Sequence, residues 1–208
     1  TYYNYRYGIV KSEFKGCVKQ MNFRESILKY SPINEQEAND KKIILDYIDN
    51  FYENILTREN QIAHMTSSGL ILNKALDKIL MIHHNIYNTW TWTGGHADGD
   101  DDMLKVALKE AKEETGLNNI IPLTEELASI DIIPVYGHIK RGKYVSSHLH
   151  LNTSYILIAD ESEEPVINQE ETSDVGWVEV VKLQEYSNEP YLIDIYMKLV
   201  EKGKKIKL

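Results

Sequence analysis

The stretch "GGHADGDDDMLKVALKEAKEETGL", Gly94 to Leu117, places seven acidic residues among twenty-four and closes on Glu-Glu-Thr-Gly. Its second half has helical periodicity. With Met103 to Thr115 wound at about 100° per residue, Leu104, Ala107, Leu108 and Ala111 fall on one apolar stripe that should face a sheet. Lys105, Lys109 and Lys112 gather on one flank, and Glu110, Glu113 and Glu114 on the other. Side chains at i, i+3 and i+4 share one patch of space, so the three carboxylates are expected to converge. Gly116 follows as the residue expected to end the helix in the left-handed region.

This helix works against itself. Glu110 and Glu114 are a like-charged i,i+4 pair with no Lys or Arg three or four positions from either; only Glu113 has such a neighbour, Lys109. A pair of that kind costs about 0.2–0.5 kcal/mol. Acids in the last helical turn oppose the macrodipole by about 0.3–1 kcal/mol each. A solvated acidic face is the ordinary meaning of charge on a helix, but a sequence serving stability alone would place lysines here. A hard divalent cation resolves the conflict. Three carboxylates on one face suit Mg²⁺ or Mn²⁺, which keep several waters and accept phosphate oxygens. The Gly-rich loop ahead of the helix can bring backbone carbonyls and short acids beside the same ion.

The rest of the chain sets bounds on this reading. It has 208 residues, 42% of them hydrophobic, enough for one sizeable core with an appended smaller element. With 23 Lys and Arg against 32 Asp and Glu, its formal charge is −9, which argues against grip on a nucleic-acid duplex through general phosphate neutralisation. A small phosphate-bearing ligand remains open, because a metal ion inverts the local sign. The lone Cys17 excludes an intramolecular disulfide and agrees with a reducing, cytoplasmic setting. No apolar run approaches the roughly 18 residues of a membrane span.

Composition divides the chain near residue 60. Before it, "NFRESILKY" and "NEQEANDKKIILDYIDNFYENIL" read as helices, the second with Asn34 and Glu37 at capping-box spacing. Ile44, Ile48, Phe51 and Ile55 make one apolar stripe, so residues 1–60 are expected to form a helical extension packed on a core built from residues 61–208. The Tyr-rich opening "TYYNYRYGIV" alternates as an edge strand would. After residue 60, "MTSSGLILN" and "DKILMIHH" read as a hairpin joined by "KAL". "LASIDIIPVYGHI" and "SSHLHLNTSYILIA" are strands separated by the turn-rich "KRGKY", and "DVGWVEV" is another. "EPYLIDIYMKLVEKG" is a helix with Tyr191, Ile195 and Leu199 in register and a Gly stop. This order predicts a mixed sheet covered by helices.

The acidic stretch resembles the Nudix box, the pattern Gly, five residues, Glu, seven residues, Arg-Glu, an aliphatic, any residue, Glu-Glu, any residue, Gly, an aliphatic. Here Gly95 opens the pattern, Lys109 and Glu110 stand at Arg-Glu, and Ala111 holds the aliphatic place. Glu113 and Glu114 form the Glu-Glu pair, and Gly116 and Leu117 close it. The resemblance extends over about residues 62 to 185, through "HMTSSGLIL", "KILMIHHN", "WTWTGGH" and "EETSDVGWVEV". Two positions depart from the pattern. Asp101 replaces the upstream Glu and Lys109 the Arg, which keeps the charges of an expected salt bridge but loses the bidentate fork.

The resemblance implies an α/β (α+β) fold, a Nudix-like αβα sandwich with a mixed central sheet over residues 61–208. It also implies a hydrolase that opens a diphosphate linkage in a nucleoside diphosphate joined to another group, with Mg²⁺ or Mn²⁺ as cofactor. By the same likeness Gly95, Glu110, Glu113 and Glu114 bind metal, Glu110 orients or deprotonates water, and Asp101 with Lys109 anchors the helix. Some members draw a base from a loop acid before the last strand; Glu170 and Glu171 stand there. The rival reading is a Nudix-fold sensor that binds a nucleotide without cleaving it. A homodimer through the apolar extension is a further expectation.

Histidines and tryptophans complete the set. His148 and His150 alternate on one strand and point to one face, a spacing that suits a transition-metal pair but more often serves the ligand side of a sheet or its packing. His83 and His84 are equally ambiguous. His96 lies close enough to the acidic loop to touch phosphate. Trp90 and Trp92 share a strand face; core packing is their ordinary use, and Trp92 stacking on a base or sugar is the functional one.

Overall fold

The computed structural model describes residues 22–85, 88–140, 142–167 and 172–207. Cys17, the Tyr-rich opening, Glu170 and Glu171 lie outside them. Helices α1 (Asn22–Lys29) and α2 (Glu35–Asn50) precede β1 (Ala63–Leu72), β2 (Lys78–His84), β3 (Thr89–Thr91) and β4 (Thr93–His96). Helix α3 (Met103–Thr115) comes after them, then β5 (Ile121–Pro122), β6 (Ser129–Val135), β7 (His138–Lys140) and β8 (Lys143–Val145). Next come β9 (His148–Ile158), β10 (Thr172–Glu179), a 3-10 turn at Val180–Lys182, α4 (Leu183–Tyr186) and α5 (Pro190–Lys207). One sheet runs β10-β2-β1-β9-β5, with β3 beside β2, β4 beside β1 and β6 beside β9, while β7 and β8 form a separate hairpin.

The centre of the sheet is the parallel pair β1–β9, in register from Ala63↔Leu149 to Leu72↔Ile158. All other pairings are antiparallel, so the sheet is mixed as expected. Alternation assigns the two faces. Met65, Leu151, Tyr155 and Leu157 turn to a core shared with α1, α2 and α3. Leu70, Leu72, Ile156 and Met81 turn to a second core shared with α5.

Three expectations are corrected. Helix α2 ends at Asn50, so Phe51 leaves the stripe and is 44% exposed, its ring 4.3 Å from that of Tyr47. Ile44, Ile48 and Ile55 do bury fully, in the core shared with α1, α3 and the sheet. Gly203 does not stop α5. A Cβ there would meet Ile156 and Leu72 at ordinary contact distances, and the helix runs on through the lysines, whose charge suits a helix C-terminus. The buried face of α5 is consequently Ile195, Tyr196, Leu199 and Val200, and Tyr191 is 41% exposed.

A buried ionic network fastens the extension to the core. The Asn34 side chain caps α2 by accepting the Glu37 N–H, as its spacing predicts. The Glu37 carboxylate, however, does not complete a capping box. It accepts from Ile33 N–H and the Tyr30 hydroxyl, and Lys198 of α5 lies 2.8 Å from both Glu37 and Asp131 of β6. Burial alone would raise the Glu37 pKa; the Lys198, Ile33 and Tyr30 contacts outweigh it and hold the group below its ordinary 4.5. Glu37 therefore contributes stability that is present above that value and is lost as pH falls through its lowered range. Removing one partner strands a buried charge. Lys198→Met is expected to cost about 3–5 kcal/mol in urea unfolding at neutral pH, and the deficit should narrow as the pH drops below 4.5.

Candidate active site and a histidine cluster

Helix α3 begins where Asp102 caps it, its side chain accepting the Lys105 N–H, and ends at Gly116 with φ 69°, the left-handed stop expected from sequence. Met103, Val106, Ala107 and Ala111 are buried against the sheet, with Leu104 and Leu108 half-buried at the margin. The three glutamates share a flank but not an environment. The Glu110 side chain is 17% exposed and that of Glu113 55%, whereas Glu114 is buried and accepts the Gly94 N–H at 2.9 Å. Lys109 Nζ lies 3.1 Å from Glu110 and 3.5 Å from Glu113. The acids that looked unpaired in the sequence thus find partners in the fold, and they are held by different groups. Asp101 is half-buried in the loop before the helix, and its charge helps raise the Lys105 pKa, behind the larger effect of Asp100.

Gly95 lies directly beneath Glu110. A Cβ at this position would land on the Glu110 carboxyl group, so only glycine lets β4 approach the carboxylate this closely. The groups on this side of β4 are oxygen donors, with no sulfur or imidazole among Gly95, Glu110, Glu113 and Glu114, a chemistry that fits a hard divalent ion. Gly95→Ala should remain folded, because a flexible glutamate can swing aside. It is expected to displace Glu110 and weaken Mn²⁺ binding, measurable by electron paramagnetic resonance beside an unchanged melting curve.

The next residue, His96, points to the opposite face of the sheet. There it meets His64, His148 and His150, each offering a ring nitrogen, with the four donor atoms all within 4.8 Å of one another. Among the described residues this is the one group of three or more His, Cys, Asp or Glu whose donors already converge. Register explains the meeting. His64 pairs with His150 across β1–β9, His96 pairs with Thr66 across β1–β4, and His148 precedes His150 by two on the same face. Burial and the neighbouring charges of Arg58, His64, Lys140 and His148 pull His96 down to about 3; burial and the other histidines pull His150 to about 2. Burial also lowers His64, against the opposing pull of the Asn60 carbonyl. Sequence reading found His148, His150 and His96 separately and missed His64. Its only signal was the position in "AHMTSSG", one strand away in a register that sequence alone does not specify.

Beyond the histidines the same face is polar. Thr66 and Ser68 both donate to Asn152 Oδ1, at 2.9 and 3.0 Å, and Asn152 donates to Ser154 at 3.0 Å. Trp92 is placed in the core, 7% exposed with its ring 5.2 Å from Tyr196, instead of at an open ligand surface. Trp90 is half-buried, edge-on to His83 and Tyr186. His83 Nδ1 lies 2.7 Å from the Ser173 hydroxyl, away from the cluster.

A mixed sheet between helical layers, with a glycine strand set under a glutamate-bearing helix, defines the Nudix-type pyrophosphohydrolase class. The sequence profile of the NUDIX domain matches residues 63–199. The chain belongs to the Nudix family. Similar solved structures include a Caenorhabditis elegans Ap4A hydrolase in a binary complex (16% identity, TM-score 0.51, covering 68% of this chain and 98% of that one). The dihydroneopterin triphosphate pyrophosphohydrolase of Escherichia coli (13%, TM-score 0.51, 66% and 95%) is another. So is a MutT protein from Methanosarcina mazei Go1 (14%, TM-score 0.51, 70% and 98%). At these identities they establish the fold. No curated protein matches the chain. Among the described residues no helix is long and apolar enough to cross a membrane.

Proposed function

We propose that the protein is a divalent-metal-dependent pyrophosphohydrolase that cleaves a diphosphate linkage in a nucleoside diphosphate joined to another moiety. The observation that carries this reading is the seating of Gly95 against Glu110 on the box helix, with Glu113 and Glu114 on the same flank. Glu110, Glu113, Glu114 and the Gly95 carbonyl would hold Mg²⁺ or Mn²⁺. When bound, such an ion neutralises phosphate charge and lowers the pKa of an attacking water.

The chain's own residues then divide the work. Glu114, buried and accepting the Gly94 N–H, fixes the distance between the glycine strand and the helix and would offer a carboxylate oxygen to the ion. Glu110 is partly accessible and can orient the water or accept its proton. Lys109 neutralises Glu110 and Glu113 while the carboxylates wait for the ion, and its contacts at 3.1 and 3.5 Å are exposed enough to be exchanged. Asp101 precedes the helix cap and adds negative charge near Lys105 at the start of α3. Glu171 remains the candidate loop base. His96 lies on the other face of β4 from Gly95, which supports a role for it in the histidine cluster more than at the phosphates.

A panel of nucleoside diphosphate sugars, dinucleoside polyphosphates and nucleotides, with Mg²⁺ or Mn²⁺ and mass spectrometry of products, tests the reading. Turnover of at least one member is expected, with products split at the diphosphate. Glu113→Gln and Glu114→Gln should each lose more than the roughly 10–100-fold typical of an outer-shell partner. Tight nucleotide binding with the ligand intact after hours would favour the sensor instead.

A further inference from the structure

We propose that His64, His96, His148 and His150 form a binding site for one late first-row transition-metal ion, with Zn²⁺ the best fit, separate from the helix carboxylates. The residues come from three strands, and the sheet register aims them at one point.

Geometry carries the assignment. His148 Nε2 and His150 Nε2 lie 3.2 Å apart. Two ligands on a tetrahedral zinc with bonds of 2.0–2.1 Å are separated by about 3.3 Å. Ring centroids within the cluster stand 4.9–5.4 Å apart, from His64 to His96, His148 and His150 and from His96 to His150.

Tautomers give a second, independent observation. His64 Nδ1 lies 2.8 Å from the Asn60 carbonyl, and His148 Nδ1 lies 2.9 Å from the Ser146 carbonyl. A carbonyl only accepts, so in both rings the proton sits on Nδ1 and Nε2 presents its lone pair to the cluster. An outer carbonyl fixing the tautomer is the arrangement that orients metal-bound imidazoles. His64 is only 4% exposed, and its Nε2 has no hydrogen-bond partner. A buried acceptor left in that condition is costly.

A chain of histidines hydrogen-bonded to one another accounts for less. His150 can donate to His148 across the 3.2 Å contact, but this leaves the His64 lone pair unanswered. One cation satisfies every inward-facing nitrogen at once. Four imidazoles and no carboxylate among the ligands select against Mg²⁺ and favour zinc, copper, nickel or iron. Four protein ligands fill a tetrahedron, so the ion is structural, not a source of activated water. It would tie β1, β4 and β9 together and fix His96, whose chain neighbour Gly95 faces Glu110.

The test is Co²⁺ titration of the chelator-stripped protein, followed by visible spectroscopy. One Co²⁺ per chain with the intense absorption of a tetrahedral site is expected. Zn²⁺ should displace it and excess Mg²⁺ should not. The spectrum should persist in Glu113→Gln and weaken at least about tenfold in apparent affinity in His64→Gln and His148→Ala. His148 is half-exposed, so its variant stays informative if the His64 variant does not fold, and circular dichroism of each reports folding. Unchanged affinity in a folded histidine variant, or Co²⁺ binding removed by Mg²⁺ or by Glu113→Gln, would overturn the site. No turnover is measured, so the outcome is independent of the hydrolase reading.

Discussion

The parallel pairing of β1 with β9 is the constraint on which the rest of the structure depends. β1 is buried at every position, yet its middle reads Thr66-Ser67-Ser68. A strand of this kind folds only if each hydroxyl finds a partner. Ser67 donates to the Met103 carbonyl at the start of α3, and Thr66 and Ser68 converge on Asn152 of β9. Those bonds specify register as well as stability. A slip of one residue would throw every side chain to the other face. It would also separate His64 from His150 and detach Ser67 from the helix that carries the glutamates.

β4 then acts as a partition between two chemistries. Its odd position, Gly95, faces α3 and the carboxylates; its even position, His96, faces the imidazoles. Oxygen groups lie on one side and imidazole nitrogens on the other, donor types that suit different classes of cation. The glycines are what make the partition thin. Gly94 sits against Ser68 on one face and Gly95 against Glu110 on the other, and a side chain at either would displace the serine or the glutamate side chain.

Much of this was legible in the sequence because it is local. The spacing of Gly95, Glu110, Glu113, Glu114 and Gly116 reports one helix and its stop, and helical geometry needs no tertiary information. The hairpin β1–β2 and the helix α2 were readable for the same reason. Legibility failed where a partner lay far along the chain. Glu37 looked like half of a capping box, and Lys198 is 161 residues away from it. Glu114 looked unpaired, although Gly94 N–H lies 2.9 Å from its carboxylate. Three of the four clustered histidines looked like an alternating pair and one stray, and His64 was not singled out at all. Gly203 looked like a stop because glycine usually leaves a helix; here it sits over Ile156 and Leu72 inside α5, which runs on to Lys207.

The extension contributes more than apolar cover. Its last segment and the two residues after it run alongside β1, β9 and the loop into α3. Met65 N–H donates to Ile55, Gly99 N–H to Leu56, and Leu149 N–H to Ile62. Asn60 is the hub. Its side-chain oxygen accepts from the Tyr47 hydroxyl and the Ala63 N–H, and its carbonyl faces His64. Arg58 grips Asp98 through two bonds of 2.9 and 2.7 Å, yet both groups are more than half exposed, and such pairs contribute little on their own. In this segment the hold therefore rests on the backbone bonds and on fully buried Ile55, beside the Glu37–Lys198–Asp131 network at α2. The loop from Asp98 to Asp102, which leads into the box helix, is pinned at Gly99 by the Leu56 carbonyl, three residues before the Asp102 cap that starts the helix.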